Sequence, residues 1–198
     1  MSDPLFDGGD EDDAATPLTP DERAQLILTY ITTRSQLNEA EQIGIADADR
    51  WAFRRRRDVL GEDFLLALHK RMLGGVWKWA GTIRNTERNI GVAPYRIGVE
   101  LRALLGDARY WIDQGAYEPD EIAVRFHHRL VAIHPFPNGN GRHARLSADL
   151  LAVSLERERF TWGSANLVEA AKTRAFYIAA LKAADIHDIN PLIAFARS

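Results

Sequence analysis

Cysteine is absent from all 198 residues, which excludes disulfides, thiolate zinc cages and cysteine nucleophiles and fits a reducing cytoplasm. An excess of positive charge is lacking too. Lys and Arg number 25 against 28 Asp and Glu, a formal charge of −3, so the chain lacks the broad basic face that phosphate-dominated nucleic-acid affinity requires. No apolar run approaches the ~18 residues needed to cross a bilayer. The Met-Ser-Asp-Pro start has neither the basic n-region nor the apolar core of a secretory signal. The expectation is a soluble, cytoplasmic protein with no membrane association, one domain long enough to bury a core without staples. The single basic run, Arg54 to Arg57 beside Trp51 and Phe53, is read as a solvated helix end.

What is present is helical periodicity with few interruptions. The first fifteen residues carry six acids and no base, and residues 1–18 are expected to be disordered. Thr19-Pro20-Asp21-Glu22 combines an N-cap, a proline at the first helical position and a capping-box glutamate, and Leu26, Ile27, Tyr30 and Ile31 follow as an apolar stripe. Further helices are predicted from about Ser35 or Asn38 to Arg57, from Glu62 to about Leu73, from Ile97 to Ile112, and from Glu118-Pro119 to Ile133. Beyond them come a helix through Leu167, Ala171, Ala175, Ile178 and Leu181 and a short last one near Pro191. Between Thr82 and Arg96 the β-type residues Ile83, Ile90, Val92 and Tyr95 are broken by Asn, Gly and Pro, which predicts a short hairpin or extended flap. The fold class is mainly α: about eight helices and one short β-hairpin, with N-terminal helices over residues 19–60 and a core domain over 61–198.

The densest chemistry lies in the twelve residues His134-Pro-Phe136-Pro-Asn138-Gly139-Asn140-Gly141-Arg142-His-Ala-Arg145. The glycines let the backbone turn tightly and approach a ligand. Leu146, Leu150 and Val153 continue at helical spacing, so Asn140-Gly141 should open a helix whose unpaired N–H groups and positive dipole end suit a phosphate. Arg142 and Arg145, three apart, fall on neighbouring positions of the first turn, where guanidinium forks can grip phosphate oxygens. His134, just before this cradle, is placed to act as a base on whatever meets the phosphate.

The string resembles the signature of the Fic (Fido) proteins, His-x-Phe-x-(Asp/Glu)-Gly-Asn-Gly-Arg-x-x-Arg, at His134, Phe136, Gly139, Asn140, Gly141, Arg142 and Arg145. Trp79-Ala-Gly-Thr-Ile-Arg84 is similar to the segment leading into that family's flap, and the resemblance runs from about Gly61 to Ala184. Within the family the chain looks most like the bacterial group carried on mobile elements and called mobile mystery protein B. The resemblance implies a protein adenylyltransferase that moves AMP from ATP to a Ser, Thr or Tyr hydroxyl of a target protein. It makes His134 the base, Gly139, Asn140 and Gly141 the anion hole, Arg142 and Arg145 the ligands of the outer phosphates, and Phe136 a core anchor. Asn89, Ile90, Gly91 and Val92 would be the target-binding flap, pairing with the target's backbone as an added strand.

Asn138 departs from the pattern. The family places Asp or Glu there to hold Mg²⁺, and Asn keeps a carbonyl oxygen without the charge, so Mg²⁺ or Mn²⁺ is expected to be weakly held and activity reduced. Many relatives are restrained by a glutamate of the form (Ser/Thr)-x-x-x-Glu-(Gly/Asn) that pairs with the second motif arginine. Ser35 to Glu39 fits except at Ala40, and Glu41 is the second candidate. A separate antitoxin-like partner is the alternative restraint. The same cradle is compatible with transfer of UMP or phosphocholine, or with a catalytically weak nucleotide-binding interaction module. Self-association into a homo-oligomer is left open by the sequence.

Overall fold

The structure, a computed structural model, describes residues 18–164 and 170–198. The acidic stretch expected to be disordered lies outside the described residues, apart from its last one, and so does Leu167. Among the described residues there are eight α-helices: α1 (Pro20–Arg23), α2 (Arg34–Phe53), α3 (Glu62–Leu73), α4 (Ile97–Asp113), α5 (Pro119–Ile133), α6 (Asn140–Ser154), α7 (Ala170–Asp185) and α8 (Asn190–Arg197). None of them is long and apolar enough to cross a membrane.

At the centre lies α6, packed against α5, α3 and α2, while α4 covers α5 and α7 packs on α8. Its residues Asn140, His143, Ala144, Leu146, Ser147, Ala148, Asp149, Leu150, Leu151 and Ala152 are all buried. A helix buried on most of its circumference needs small side chains to let its neighbours close in, and Ala144, Ser147, Ala148 and Ala152 supply them. Val153, expected on the apolar stripe, is 41% exposed, because the helix ends one residue later and its last turn emerges from the core. The α2–α3 contact is close as well: a Cβ on Gly44 would lie 2.3 Å from the Met72 carbonyl oxygen.

Two expected elements differ. The capping box at Thr19 and Glu22 forms, but α1 is a single turn. Past it the Ile27 amide donates to the Val76 carbonyl at 2.8 Å and the Lys78 amide to the Gln25 carbonyl at 3.1 Å, so Leu26 pairs with Trp77 as an isolated antiparallel bridge. These long-range bonds take the Ile27 amide and the Gln25 carbonyl that a continuing helix would have used, and Tyr30 is 70% exposed. The predicted hairpin between Thr82 and Arg96 is not formed either. That segment has no strand pairing, and it closes with a 3₁₀ turn at Pro94–Arg96. Its backbone bonds go elsewhere: the Arg84 amide donates to the Pro135 carbonyl at 2.9 Å and the Val92 amide to the Ile133 carbonyl at 3.3 Å.

The basic run follows the end of α2 instead of belonging to it. Arg57 donates to the Trp51 carbonyl at 3.2 Å and covers the Trp51 ring, while Arg159 covers Phe53. Both aromatic faces beside the run are thus engaged within the molecule.

Candidate active site

The motif loop is held by its own side chains. His134 caps the C-terminus of α5 in the left-handed region, φ 54°, a conformation that costs a non-glycine residue about 1 kcal/mol or more. Gly139 precedes α6 at φ 78°. Just after them Asn140 binds back to both backbone groups of Phe136: the Phe136 amide donates to Asn140 Oδ1 at 2.9 Å, and Asn140 Nδ2 donates to the Phe136 carbonyl at 2.8 Å. The Asn140 side chain is therefore a lock on the loop, which leaves its backbone amide as the group it could offer an anion. Phe136 is 1% exposed and stacks on His69, with the ring of His143 edge-on at 4.9 Å.

His134 is 6% exposed. Burial, then the charge of Arg84, pushes its pKa down from 6.5 to about 4, so the imidazole is neutral at pH 7 and able to accept a proton. Arg84 is 3% exposed, and its guanidinium gathers the surrounding carbonyls: Nε donates to His134 at 2.7 Å, Nη1 to Thr86 at 2.8 Å and Nη2 to Val92 at 2.5 Å. This one cation ties the Thr86–Val92 segment to the start of the motif loop. Gly91 lies against His134 itself. At φ 97°, a Cβ there would sit 2.6 Å from His134 Cβ and 2.7 Å from Arg84 Nη2. Glu22 anchors the flap's other end, accepting from Thr86 Oγ1 at 3.1 Å and pairing with the buried Arg88. Burial raises the Glu22 pKa, but the Thr19 amide and Arg88 outweigh it, and the carboxyl stays ionised below its ordinary value.

The two arginines differ in their surroundings. Arg142 Nη1 donates to Glu41 Oε2 at 2.7 Å, and Trp77 Nε1 donates to the other oxygen of Glu41, also at 2.7 Å. The Glu41 side chain is 8% exposed and that of Arg142 27%. Glu39, the better match to the restraining pattern, is exposed. The structure thus brings one of the two candidates to the motif, and pairs it with the first motif arginine instead of the second. Arg145 lies over the Tyr177 ring, 5.6 Å from its centroid, with no ion pair among the described residues. Asn138 Oδ1 accepts from the neighbouring Gly139 amide at 2.6 Å. Among the described residues no three His, Asp or Glu side chains converge as a metal site.

His69, Arg84, Glu22 and Trp77 carry these contacts but received no role from the sequence. Arg84 ends the Trp79–Arg84 string, and Glu22 stood out as a cap. Nothing local marks His69 or Trp77.

Helical architecture, a buried neutral imidazole and a glycine-turned helix start with two arginines on it are together the arrangement expected of a Fic fold. Residues 59–152 match the model of the Fic/DOC family, a span that includes the whole His134–Arg145 string, and the chain belongs to that family. It is 30% identical over 149 residues to protein adenylyltransferase fic-1 of Caenorhabditis elegans, covering 71% of this chain and 27% of that protein. Against protein adenylyltransferase Fic of Nematostella vectensis it is 29% identical over 170 residues, 82% of this chain and 38% of the other. The chain thus spans well under half the length of these relatives. Among solved structures, the 134–508 fragment of C. elegans Fic-1 superposes with a TM-score of 0.63 at 23% identity, over 88% of this chain and 50% of the fragment. BepC of Bartonella tribocorum, solved with bound AMPPNP, gives 0.69 at 15% identity, over 90% and 97%. These likenesses show the fold.

Proposed function

We propose that the chain is a protein adenylyltransferase, moving AMP from ATP to a hydroxyl side chain of a target protein. The observation that carries this reading is a neutral, buried His134 beside the N-terminus of α6, with Arg142 on the first turn of that helix and Arg145 on the second. The triphosphate lies against the amides of Gly139, Asn140 and Gly141, with the two arginines on its outer phosphates. The target oxygen attacks the α-phosphorus and gives its proton to His134; the bond from that phosphorus to the bridging oxygen breaks, and pyrophosphate leaves. A base held at about 4 is weak in the free protein, and the negative charge of bound triphosphate raises its pKa toward the usual range. The flap residues Asn89, Ile90, Gly91 and Val92 run across the base and offer backbone to the target.

The residues present do not form a protein-held Mg²⁺ site. Asn138 brings a neutral carbonyl already engaged by an amide, where Mg²⁺ favours anionic oxygens. A Mg²⁺ or Mn²⁺ ion would arrive with the nucleotide and be weakly held, so no step above depends on it. Glu41 is the restraint in this reading, since its carboxylate occupies the guanidinium a phosphate needs; an antitoxin-like partner would act by the same chemistry. The mobile mystery protein B placement and a cytoplasmic setting belong to the proposal and rest on resemblance and on the absent cysteine.

Labelled ATP with Mg²⁺ or Mn²⁺ tests it. The wild-type chain is expected to label itself or a target weakly, Asn138→Asp more strongly, and His134→Ala not at all while still binding nucleotide. Nucleotide binding without label in either of the first two proteins rejects the enzyme and leaves a nucleotide-binding interaction module, the reading that neutral Asn138 favours.

A further inference from the structure

His69 lies in α3, fully buried, and belongs to no motif. Its ring lies flat on Phe136, 3.7 Å between centroids with 11° between planes, so its orientation is fixed by packing. Both ring nitrogens are engaged. The Gly81 amide donates to Nδ1 at 2.9 Å. A nitrogen that accepts carries no proton, so in the neutral ring the proton sits on Nε2, which donates to the Asn138 carbonyl at 3.0 Å. Burial, which holds this imidazole well below 6.5, keeps that tautomer uncharged at neutral pH.

The Asn138–Gly139 peptide is trans, as all described peptide bonds are. Its carbonyl and its N–H therefore point in opposite directions. Drawing the carbonyl toward α3 turns the Gly139 N–H away from it, to the side where Asn138 Oδ1 meets it at 2.6 Å. There is no slack in this arrangement: a Cβ on Gly139 would lie 3.3 Å from His69 Nε2 and 2.6 Å from Leu73 Cδ1. A flipped peptide would aim a carbonyl dipole at the phosphate, converting attraction into repulsion.

We propose that His69 is the positioning residue of the phosphate cradle, its Nε2–H holding the Asn138–Gly139 peptide in the one orientation that offers the Gly139 amide to a phosphate oxygen. The role rests on the nucleotide reading above. It does not touch substrate.

Two substitutions separate positioning from packing. His69→Gln carries one donor and one acceptor and can restore both bonds; His69→Phe keeps the stack on Phe136 and removes both. The expected result is an ATP dissociation constant and KM raised about tenfold or more in His69→Phe, with kcat changed less than about threefold and His69→Gln within about threefold of wild type. A folded His69→Phe protein that binds ATP like wild type overturns the proposal and leaves the proposed function standing. Absence of nucleotide binding in wild type sinks the proposed function instead. The positioning role is then decided without nucleotide, by nitrogen-15 NMR of the wild-type ring and hydrogen exchange at Gly139. A ring protonated on Nδ1, or a Gly139 amide indifferent to His69→Gln and His69→Phe alike, overturns it. Should His69→Phe fail to fold, the wild-type ring spectrum and His69→Gln still decide.

Discussion

Replacing Glu41 by Gln should raise the affinity for ATP. At 2.7 Å and roughly 4 Å between charge centres, the Glu41–Arg142 pair has a gross attraction of about 4 kcal/mol at an effective dielectric near 20. Arg142 keeps 27% of its side-chain surface in water, and desolvation of the carboxylate offsets much of that attraction, so the net hold on the guanidinium is about 1–3 kcal/mol. A triphosphate that takes Arg142 must overcome that hold, a penalty of roughly 5- to 150-fold in affinity. Gln at position 41 can still accept from Trp77 through its oxygen, while its amide cannot pair with a guanidinium. The fold should therefore survive and the cradle open. Calorimetric titration with ATP should show a dissociation constant at least fivefold lower in Glu41→Gln, accompanied by faster self-labelling, with Glu39→Gln indistinguishable from wild type. An unchanged constant for Glu41→Gln would refute the competition argument. So would stimulation by Glu39→Gln alone, because an exposed side chain cannot act through this contact.

Gly91→Ala should reduce transfer more than tenfold while leaving ATP affinity within about threefold, measured by labelling and calorimetry, since the added Cβ meets His134 and Arg84 and not the cradle. Equal losses in both would show that the flap also shapes the phosphate site. Stability should fall on acidification. His134 and His143 are held at about 4, and His69 and His127 well below 6.5, all four mainly by burial. The folded state thus binds fewer protons than the unfolded chain below pH 6.5, and the stability these neutral rings confer is lost as pH falls from 6.5 toward 4. At pH 5.5, one unit below the ordinary value, His134 and His143 each contribute a loss of about 1.4 kcal/mol, and His69 and His127 act in the same direction. Thermal denaturation at pH 7.5 and 5.5 should show a large drop in Tm; equal values would mean that these rings protonate freely in the folded protein.

Local patterns carried well into the fold. The glycines after Leu73, the prolines opening α5 and α8 and the runs Leu101, Leu104, Leu105 and Ala108 placed α3, α4, α5 and α8 within a residue or two, since periodicity and caps act over one or two turns. The loop and the start of α6 were legible for the same reason. The errors lie where distant backbone competes. Leu26 leaves its helical stripe to pair with Trp77, and Arg84 and Val92 bond to Ile133–Pro135 in place of a hairpin partner. The supports of the site are equally remote: Glu41 stands 101 positions from Arg142, and His69 69 positions from Asn138. No window of sequence joins such pairs, because they exist through the packing of α2 and α3 on α6.

One of those supports was nevertheless recoverable. Glu39 and Glu41 are two residues apart, about 200° around a helix, so they cannot share a face. Leu37, Ala48 and Ala52 are buried on α2, Gly44 lies against Met72, and the spacings 37, 41, 44, 48 and 52 describe one inward stripe that includes Glu41. A carboxylate within an apolar stripe is costly unless paired, so its presence there implies a buried cation or donors waiting for it. The restraining pattern matched Glu39 better than Glu41, departing at Ala40, but facing decides which acid can reach the motif. Helical phase alone favours Glu41, and in the folded chain its two oxygens find the guanidinium of Arg142 and the indole N–H of Trp77.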